Sequence, residues 1–174
     1  MKRMIAVAVA ASAALVLGTT VASAQSFTFG AGGGVTIPTG DFKTGAKTGW
    51  HAIGHIGYAM PSGLGFRGEA FYGQNSLKGA TSEKFKLSGG LGSISYDFQT
   101  SGGVKPYVIG SAGVFNGKVL GFSETKFTFG GGGGIKLKAG SDGHVFLETR
   151  YLSIQTSGGS TNFIPITLGF SFGG

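Results

Sequence analysis

Two glycine-containing motifs in the sequence match patterns associated with catalysis or ligand binding. Gly169–Gly173, GFSFG, fits the G-x-S-x-G pattern of a serine nucleophile, which needs a strand-to-helix turn and a histidine and an acid farther along the chain. The printed sequence has neither residue type after it, so we expect Ser171 to be an inward residue of a final strand. Gly63–Gly68, GLGFRG, fits G-x-G-x-x-G but enters a predicted strand, whereas phosphate binding requires a helix N-terminus.

The histidines are the other candidates for chemistry. His51 and His55 are four residues apart in a predicted strand, so they share a face but lie about 13 Å apart, too far for one metal ion. A lipid-modifying enzyme would need a histidine and further catalytic groups at one rim, and His51 with Asp41 is the available pair. We favour histidines with a structural role and expect no catalytic residue, cofactor or metal ion.

The first 24 residues have the features of a secretory signal peptide. Lys2 and Arg3 precede an apolar run of 14 residues from Met4 to Leu17, and Ala22–Ala24 forms a small-x-small cleavage site. The run is too short to span a bilayer as a helix. We therefore predict a cleaved signal peptide over residues 1–24, Sec-dependent export, and one domain over residues 25–174.

The composition excludes several classes of protein. No cysteine is present, which excludes disulfides and thiolate chemistry. Aromatic residues make up 12% of the chain, too many for a disordered protein. Loss of Lys2 and Arg3 lowers the net charge from +7 to +5, and the remaining charges are scattered, so we expect no nucleic-acid binding. Charged residues at 12%, 36 glycines and a mean hydropathy of +0.22 suit a barrel with small inward residues.

The elements that must position these residues are segments of about ten residues in which every second residue is apolar. Such alternation behind an export signal predicts an all-β fold, an eight-stranded antiparallel up-and-down transmembrane β-barrel with its apolar face toward lipid. A soluble lipocalin-like barrel would need outward charges on every strand, and the first and last strands have none. The predicted strands are Ser26–Ile37, Thr48–Met60, Leu64–Gln74, Glu83–Phe98, Val104–Phe115, Lys126–Leu137, Val145–Ile154 and a last strand ending at Phe172.

Two strands depart from simple alternation. In the fourth, the apolar parity changes between Leu91 and Ile94, which predicts a bulge near Gly92–Ser93. The fifth is apolar on both faces, so the outward set is either Tyr107, Ile109 and Phe115 or Val108, Ala112 and Val114. Turns after strands two, four and six are short, and we expect connections of about eight to ten residues after the other strands, with both termini on the periplasmic side.

Charged residues inside the predicted strands indicate what fills the barrel. A Lys or Arg facing lipid at the middle of the bilayer costs roughly 2 to 4 kcal/mol, so these residues must face the lumen. Strands three and seven lie opposite each other in a ring of eight, and each carries an acid two residues from an arginine. An eight-stranded barrel is narrow enough for them to meet. The predicted lumenal polar network is Arg67, Glu69, Lys136, Glu148 and Arg150.

The chain resembles the outer-membrane β-barrel domain family, the small eight-stranded OmpX-like and OmpA-like barrels. The resemblance implies a place in the outer membrane of a Gram-negative cell and insertion by the barrel-assembly machinery. Phe170 and Phe172 resemble the aromatic assembly signal of that family. The stretches that carry the resemblance are GVTIPTGDF (34–42), TGWH (48–51), KPYVIGSAGVF (105–115), FLETRY (146–151) and FIPITLGFSF (163–172).

We predict a structural or surface-interaction protein with a polar lumen filled by side chains, and no enzyme. A small-solute pore is the alternative, although open channels belong to barrels of about 16 strands or more. A lipid-modifying enzyme is the third hypothesis. The expected partners are outer-membrane lipid and lipopolysaccharide, whose phosphates would meet lysines of the predicted outer loops; no other surface partner is predicted. Those lysines are Lys43, Lys47, Lys78 and Lys118.

Overall fold

The computed structural model describes residues 26–78, 84–119, 122–156 and 159–173. The predicted signal peptide, Glu83 and Gly174 lie outside these residues. Among the described residues, no helix is long and apolar enough to cross a membrane. The elements are β1 (Ser26–Thr39), α1 (Phe42–Gly45), β2 (Gly49–Ala59), β3 (Leu64–Ser76), β4 (Lys84–Asp97), β5 (Val104–Val119), β6 (Phe122–Lys138), β7 (Gly143–Thr156) and β8 (Gly159–Phe172).

The strands form one closed barrel in chain order, β1 to β8, with every neighbouring pair antiparallel. Pairing of β1 with β8 closes the ring, so no strand edge is left unpaired. This confirms the predicted fold class. We call the end where β1 begins and β8 ends the termini end, and the end that carries α1 the loop end.

Large apolar side chains face outward around the barrel, as the alternation predicted. Phe29 on β1, Phe129 on β6 and Leu168 on β8 are each about half exposed or more, whereas Glu148 and Arg150 on β7 are buried inside. A surface of this kind is stable only in an apolar solvent. The outward set also includes Phe27, Val35, Trp50, Ile56, Tyr58, Phe66, Tyr72, Ile94, Tyr96, Val108, Val114, Phe127, Leu147, Tyr151 and Phe172.

The predicted bulge in β4 is wrong. The register of β3 with β4 runs without interruption from Leu64 opposite Tyr96 to Ser76 opposite Lys84. Leu91 therefore stays on the same inward face as Ser93, while Ile94 points outward. The apolar parity changes because the inward face itself changes from apolar at the loop end to polar farther along the strand.

The structure decides the facing of β5. Val108 and Val114 are exposed on the outside, as is Ala112, whereas Tyr107 and Phe115 are buried inside. Both faces of this strand are apolar because lipid covers one and a dry part of the lumen covers the other.

Two of the four connections at the loop end are much shorter than the predicted length of about eight to ten residues, whereas nine residues separate β1 from β2. Strand β5 ends at Val119 and β6 begins at Phe122, and β7 and β8 are likewise separated by two residues, not eight to ten. With 16 and 17 residues, β5 and β6 exceed the roughly 9 to 11 residues that cross a bilayer. The ends of these two strands have the polar composition of a loop, but they remain paired with each other. Asn116 Nδ2, for example, donates to Thr125 Oγ1 at 3.0 Å.

The first loop partly covers the barrel at the loop end. Phe42 of α1 packs against the buried apolar cluster of the lumen, and its ring meets Phe85 edge-on with 5.3 Å between centroids. Backbone hydrogen bonds from Lys47 to Ser76 and from Lys78 to Gly45 fix this loop to the segment after β3. The loop thereby closes part of the mouth with an apolar side chain.

Inward glycines make room for large side chains on neighbouring strands. An ideal Cβ on Gly89 would lie 1.9 Å from Phe115 Cδ1 and 2.3 Å from the Val114 carbonyl oxygen. On Gly134, a Cβ would lie 2.8 Å from the Tyr107 hydroxyl oxygen. The lumen is therefore packed too tightly at these positions for any side chain.

We expect Gly89→Ala to destabilise the barrel by about 1 to 3 kcal/mol, because Phe115 must shift in a packed layer. Gly110→Ala is the matched control, since a Cβ on this outward glycine meets nothing within 4 Å. The measurement is urea unfolding in detergent, followed by fluorescence of the single tryptophan. Equal stability of the two variants would contradict this description of the packing.

Candidate functional site

The structure brings together four of the five residues of the predicted polar network, and we call these four the ion-pair cluster. Arg150 binds Glu69 through two parallel hydrogen bonds, Nη1 to Oε1 at 3.0 Å and Nη2 to Oε2 at 2.6 Å. Arg67 donates from Nη2 to Glu148 Oε2 at 2.6 Å and from Nε to Glu69 Oε1 at 3.2 Å. Three of these bonds cross the lumen between β3 and β7, and the bond from Arg67 to Glu69 lies within β3.

Further hydrogen bonds close the ion-pair cluster. Arg150 Nε donates to Glu148 Oε1 at 2.7 Å, so each arginine contacts both acids. Tyr107 donates its hydroxyl to Glu148 at 2.7 Å, and Ser93 donates to Glu69 at 2.5 Å. Two positive and two negative charges therefore balance, which is what a buried charge group needs to be stable.

The prediction that Lys136 belongs to the network is wrong, because Lys136 lies in a separate ion pair. Its Nζ donates to the two carboxylate oxygens of Asp97 at 2.9 and 2.6 Å. Both side chains are partly exposed near the termini end. Lys136 approaches the ion-pair cluster only through Tyr107, with its Nζ 5.0 Å from the ring centroid.

A layer of apolar rings fills the lumen on the loop side of the ion-pair cluster. Phe71 on β3 contacts Phe115 on β5 and Phe163 on β8, with ring centroids 5.1 and 6.2 Å apart. Phe115 and Phe163 are fully buried, and Leu152 on β7 is 1% exposed. We call these four side chains, three of which are aromatic, the aromatic layer. The predicted polar lumen is thus interrupted by an apolar layer.

His51 and His55 face the lumen, and neither lies at a rim. His51 Nδ1 lies 3.1 Å from Thr36 Oγ1, and Nε2 lies 2.8 Å from Thr167 Oγ1, so both ring nitrogens have partners. Its ring stacks on Phe71 at 5.2 Å. Asp41 is exposed in the first loop. The hypothetical catalytic pair of His51 and Asp41 is therefore not assembled.

His55 differs from His51 in its hydrogen bonding. It is 7% exposed, and its Nδ1 is buried with no hydrogen-bond partner among the described residues. Nor do the described residues contain a group of three or more histidine, aspartate or glutamate side chains placed to hold a metal ion.

The last strand carries the residues of the two remaining sequence motifs. Ser171 faces inward and is nearly buried, and the strand ends one residue later without a helix. Phe172 faces outward, where its ring stacks on Phe29 at 5.3 Å and contacts Phe170 at 4.7 Å. The two aromatic residues of the predicted assembly signal therefore lie at the β1–β8 seam that closes the barrel.

The sequence did contain a signal for the residues that were missed. Leu152 shares the charged face of β7, and Phe71 shares the face of Arg67 and Glu69 on β3. Together with Leu91 on β4, these exceptions indicate an apolar layer in the lumen. Ser93 and Tyr107 carry no comparable signal, because a serine or tyrosine on a strand suits many environments.

Comparison with known protein families matches residues 7–172 to the outer membrane protein beta-barrel domain. The chain belongs to the outer membrane protein beta-barrel domain family. The predicted family is thus confirmed, and the outer membrane is the place of this barrel. A search of curated proteins finds no match.

Solved structures of outer membrane barrels share the fold. Neisserial surface protein A aligns with a TM-score of 0.68 and 18% identity, over 86% of this chain and 99% of that one. A major outer membrane protein from Thermus thermophilus gives 0.55 and 12%, over 87% and 100%. OprG from Pseudomonas aeruginosa gives 0.51 and 15%, over 87% and 96%. At these identities the likeness establishes the fold alone.

Proposed function

We propose that this member of the family is a sealed outer membrane barrel with a structural or surface-interaction role, and neither a pore nor an enzyme. The observation that carries the proposal is the stacking of two closed layers in one narrow lumen. The ion-pair cluster joins β3 to β7, and the aromatic layer joins β3, β5, β7 and β8. A solute would have to break both layers to pass.

The test of the sealed barrel is single-channel recording in planar bilayers. We expect no steady openings from the folded protein, with a 16-stranded porin in the same bilayers as the positive control. Correct folding is verified beforehand by gel mobility with and without boiling, because a folded barrel migrates differently from its heat-denatured form. Steady, protein-dependent openings would favour the small-solute pore and contradict the proposal.

We infer that export uses the Sec pathway with residues 1–24 as the cleaved signal, and that the barrel-assembly machinery reads Phe170 and Phe172. The apolar run after Lys2 and Arg3 supports the first inference. The outward position of Phe172 on the closing strand supports the second. N-terminal sequencing of the membrane-inserted protein, with Gln25 as the expected first residue, tests the cleavage site.

We further propose that the outer wall at the loop end contacts phosphates of lipopolysaccharide. Besides the predicted Lys43, Lys47, Lys78 and Lys118, the exposed residues at this end include Lys84 and Lys86. Lys86 lies directly opposite Lys118 in the β4–β5 ladder, and both point outward. Like charges at directly opposite positions destabilise a sheet, and a bound anion would offset that cost.

We expect the double variant Lys86→Gln, Lys118→Gln to bind lipopolysaccharide about thirtyfold more weakly, since each of the two lysines near an anionic membrane surface contributes about 1 kcal/mol. Without lipopolysaccharide, the variant should be slightly more stable than the wild type because the repulsion is gone. Lys138→Gln at the termini end is the matched control. Equal binding by the double variant and the control, measured at constant ionic strength, would contradict the proposal.

A further inference from the structure

A cavity of about 210 Å³, lined by both polar and apolar side chains, lies in the lumen between the ion-pair cluster and the termini end. We call it the vestibule. Its lining includes His55, Arg67, Lys105, Lys136 and Asp97, from strands β2 to β6. The proposed sealed barrel does not require this space. The hydrogen-bond donors that line it therefore suggest a separate role for the vestibule.

Two side chains that line the vestibule, those of His55 and Arg67, have nitrogen atoms without hydrogen-bond partners among the described residues. His55 lines the vestibule, and neither of its ring nitrogens makes a hydrogen bond within the described residues. Arg67 uses Nε and Nη2 in the ion-pair cluster, and its Nη1 makes no hydrogen bond to any described residue. His55 lies opposite Glu69, two positions from Arg67 on the neighbouring strand, which places the two residues about 7 to 8 Å apart at the backbone.

The charges around the vestibule favour an anion. Lys105 and Lys136 lie opposite each other on β5 and β6. Asp97 is the acidic residue of the lining and is already paired with Lys136. The two glutamates behind the vestibule are neutralised by Arg67 and Arg150. A ligand in this space therefore meets more positive than negative charge.

We propose that the vestibule is a binding site for a small oxyanion of the phosphate class, held by the His55 ring and the Arg67 guanidinium and attracted by Lys105. A hydrogen phosphate both accepts and donates hydrogen bonds, so it suits either neutral tautomer of His55. The guanidinium edge matches two phosphate oxygens in the way it matches a carboxylate. The phosphate is either a free ion or the headgroup of a phospholipid at the mouth of the barrel.

The test follows the ring nitrogens of the histidines in the full, folded chain. The protein is labelled with ¹⁵N-histidine, folded in dodecyl maltoside micelles, which contain no phosphate, and titrated with inorganic phosphate against sodium chloride at equal ionic strength. We expect a saturable shift of the His55 signals and none for His51, whose two nitrogens already have threonine partners. Shifts that fail to saturate, or that are equal for the two histidines, would overturn the site, leaving water alone in the vestibule.

Two variants and one experiment with a phospholipid complete the test. His55→Leu should weaken phosphate binding at least tenfold in calorimetry, and Lys105→Gln at least threefold, whereas Lys118→Gln at the loop end should leave it unchanged. If His55→Leu does not fold, Lys105→Gln still decides, because Lys105 lies at the exposed mouth outside the ion-pair cluster. Nanodiscs containing phosphatidylglycerol, without free phosphate, identify the source: a His55 shift there assigns the site to a lipid headgroup, and its absence assigns it to free phosphate.

Discussion

Glu148→Gln should lower the free energy of unfolding by about 3 to 5 kcal/mol, which is the range for breaking a buried ion pair from one side. Glu148 accepts hydrogen bonds from Arg67, Arg150 and Tyr107, and its side chain is 1% exposed. Without its charge, the two arginines share one acid, and a net positive charge stays in the lumen. Urea unfolding of the folded protein in detergent, together with gel mobility on heating, measures the loss.

The matched control is Glu124→Gln at the loop end. Glu124 pairs with Lys126, but its side chain is 70% exposed. Exposed pairs contribute about 0 to 1 kcal/mol, so this variant should be close to the wild type. The double variant Glu148→Gln, Arg150→Met removes one charge of each sign and should recover part of the stability. If Glu148→Gln is as stable as Glu124→Gln, the ion-pair cluster does not stabilise the barrel.

Phe115→Ala should destabilise the barrel by about 3 to 5 kcal/mol, the range for truncating a buried phenylalanine. Phe115 is fully buried and contacts the rings of Phe71 and Phe163 at 5.1 and 6.1 Å. Its removal leaves a cavity in the middle of the aromatic layer, and neighbouring side chains on paired strands have little freedom to fill it.

Phe66→Ala separates the cavity from the simple loss of apolar area. Phe66 faces outward and is 43% exposed, so lipid or detergent occupies the space that its ring leaves. We expect a smaller loss of stability than for Phe115→Ala, because this variant loses only the free energy of transferring the ring out of water and leaves no cavity. Equal losses for the two variants would show that packing in the aromatic layer adds nothing to stability.

The position of single charges in the sequence predicted much of the candidate site. Arg67 and Arg150 cannot face lipid at mid-bilayer, and the ring of eight strands places β3 opposite β7, so the sequence predicted that the two Arg–Glu pairs meet. It did not predict the partners Ser93 and Tyr107, or the separation of Lys136. Which short polar side chain reaches which charge depends on the register between strands, and single-strand patterns contain no register.

For the apolar residues, the tertiary structure decided more than the sequence did. Alternation alone determined the number of strands and the facing of β1, β6 and β8, because one side of each strand is apolar and the other small or polar. It failed at Leu91 and throughout β5, where both faces are apolar. Lipid and a dry lumen favour the same side chains, so hydropathy does not distinguish them. Only closure of the barrel, which stacks Phe71, Phe115 and Phe163 in one layer, decided which apolar residues fill the lumen and which meet the membrane.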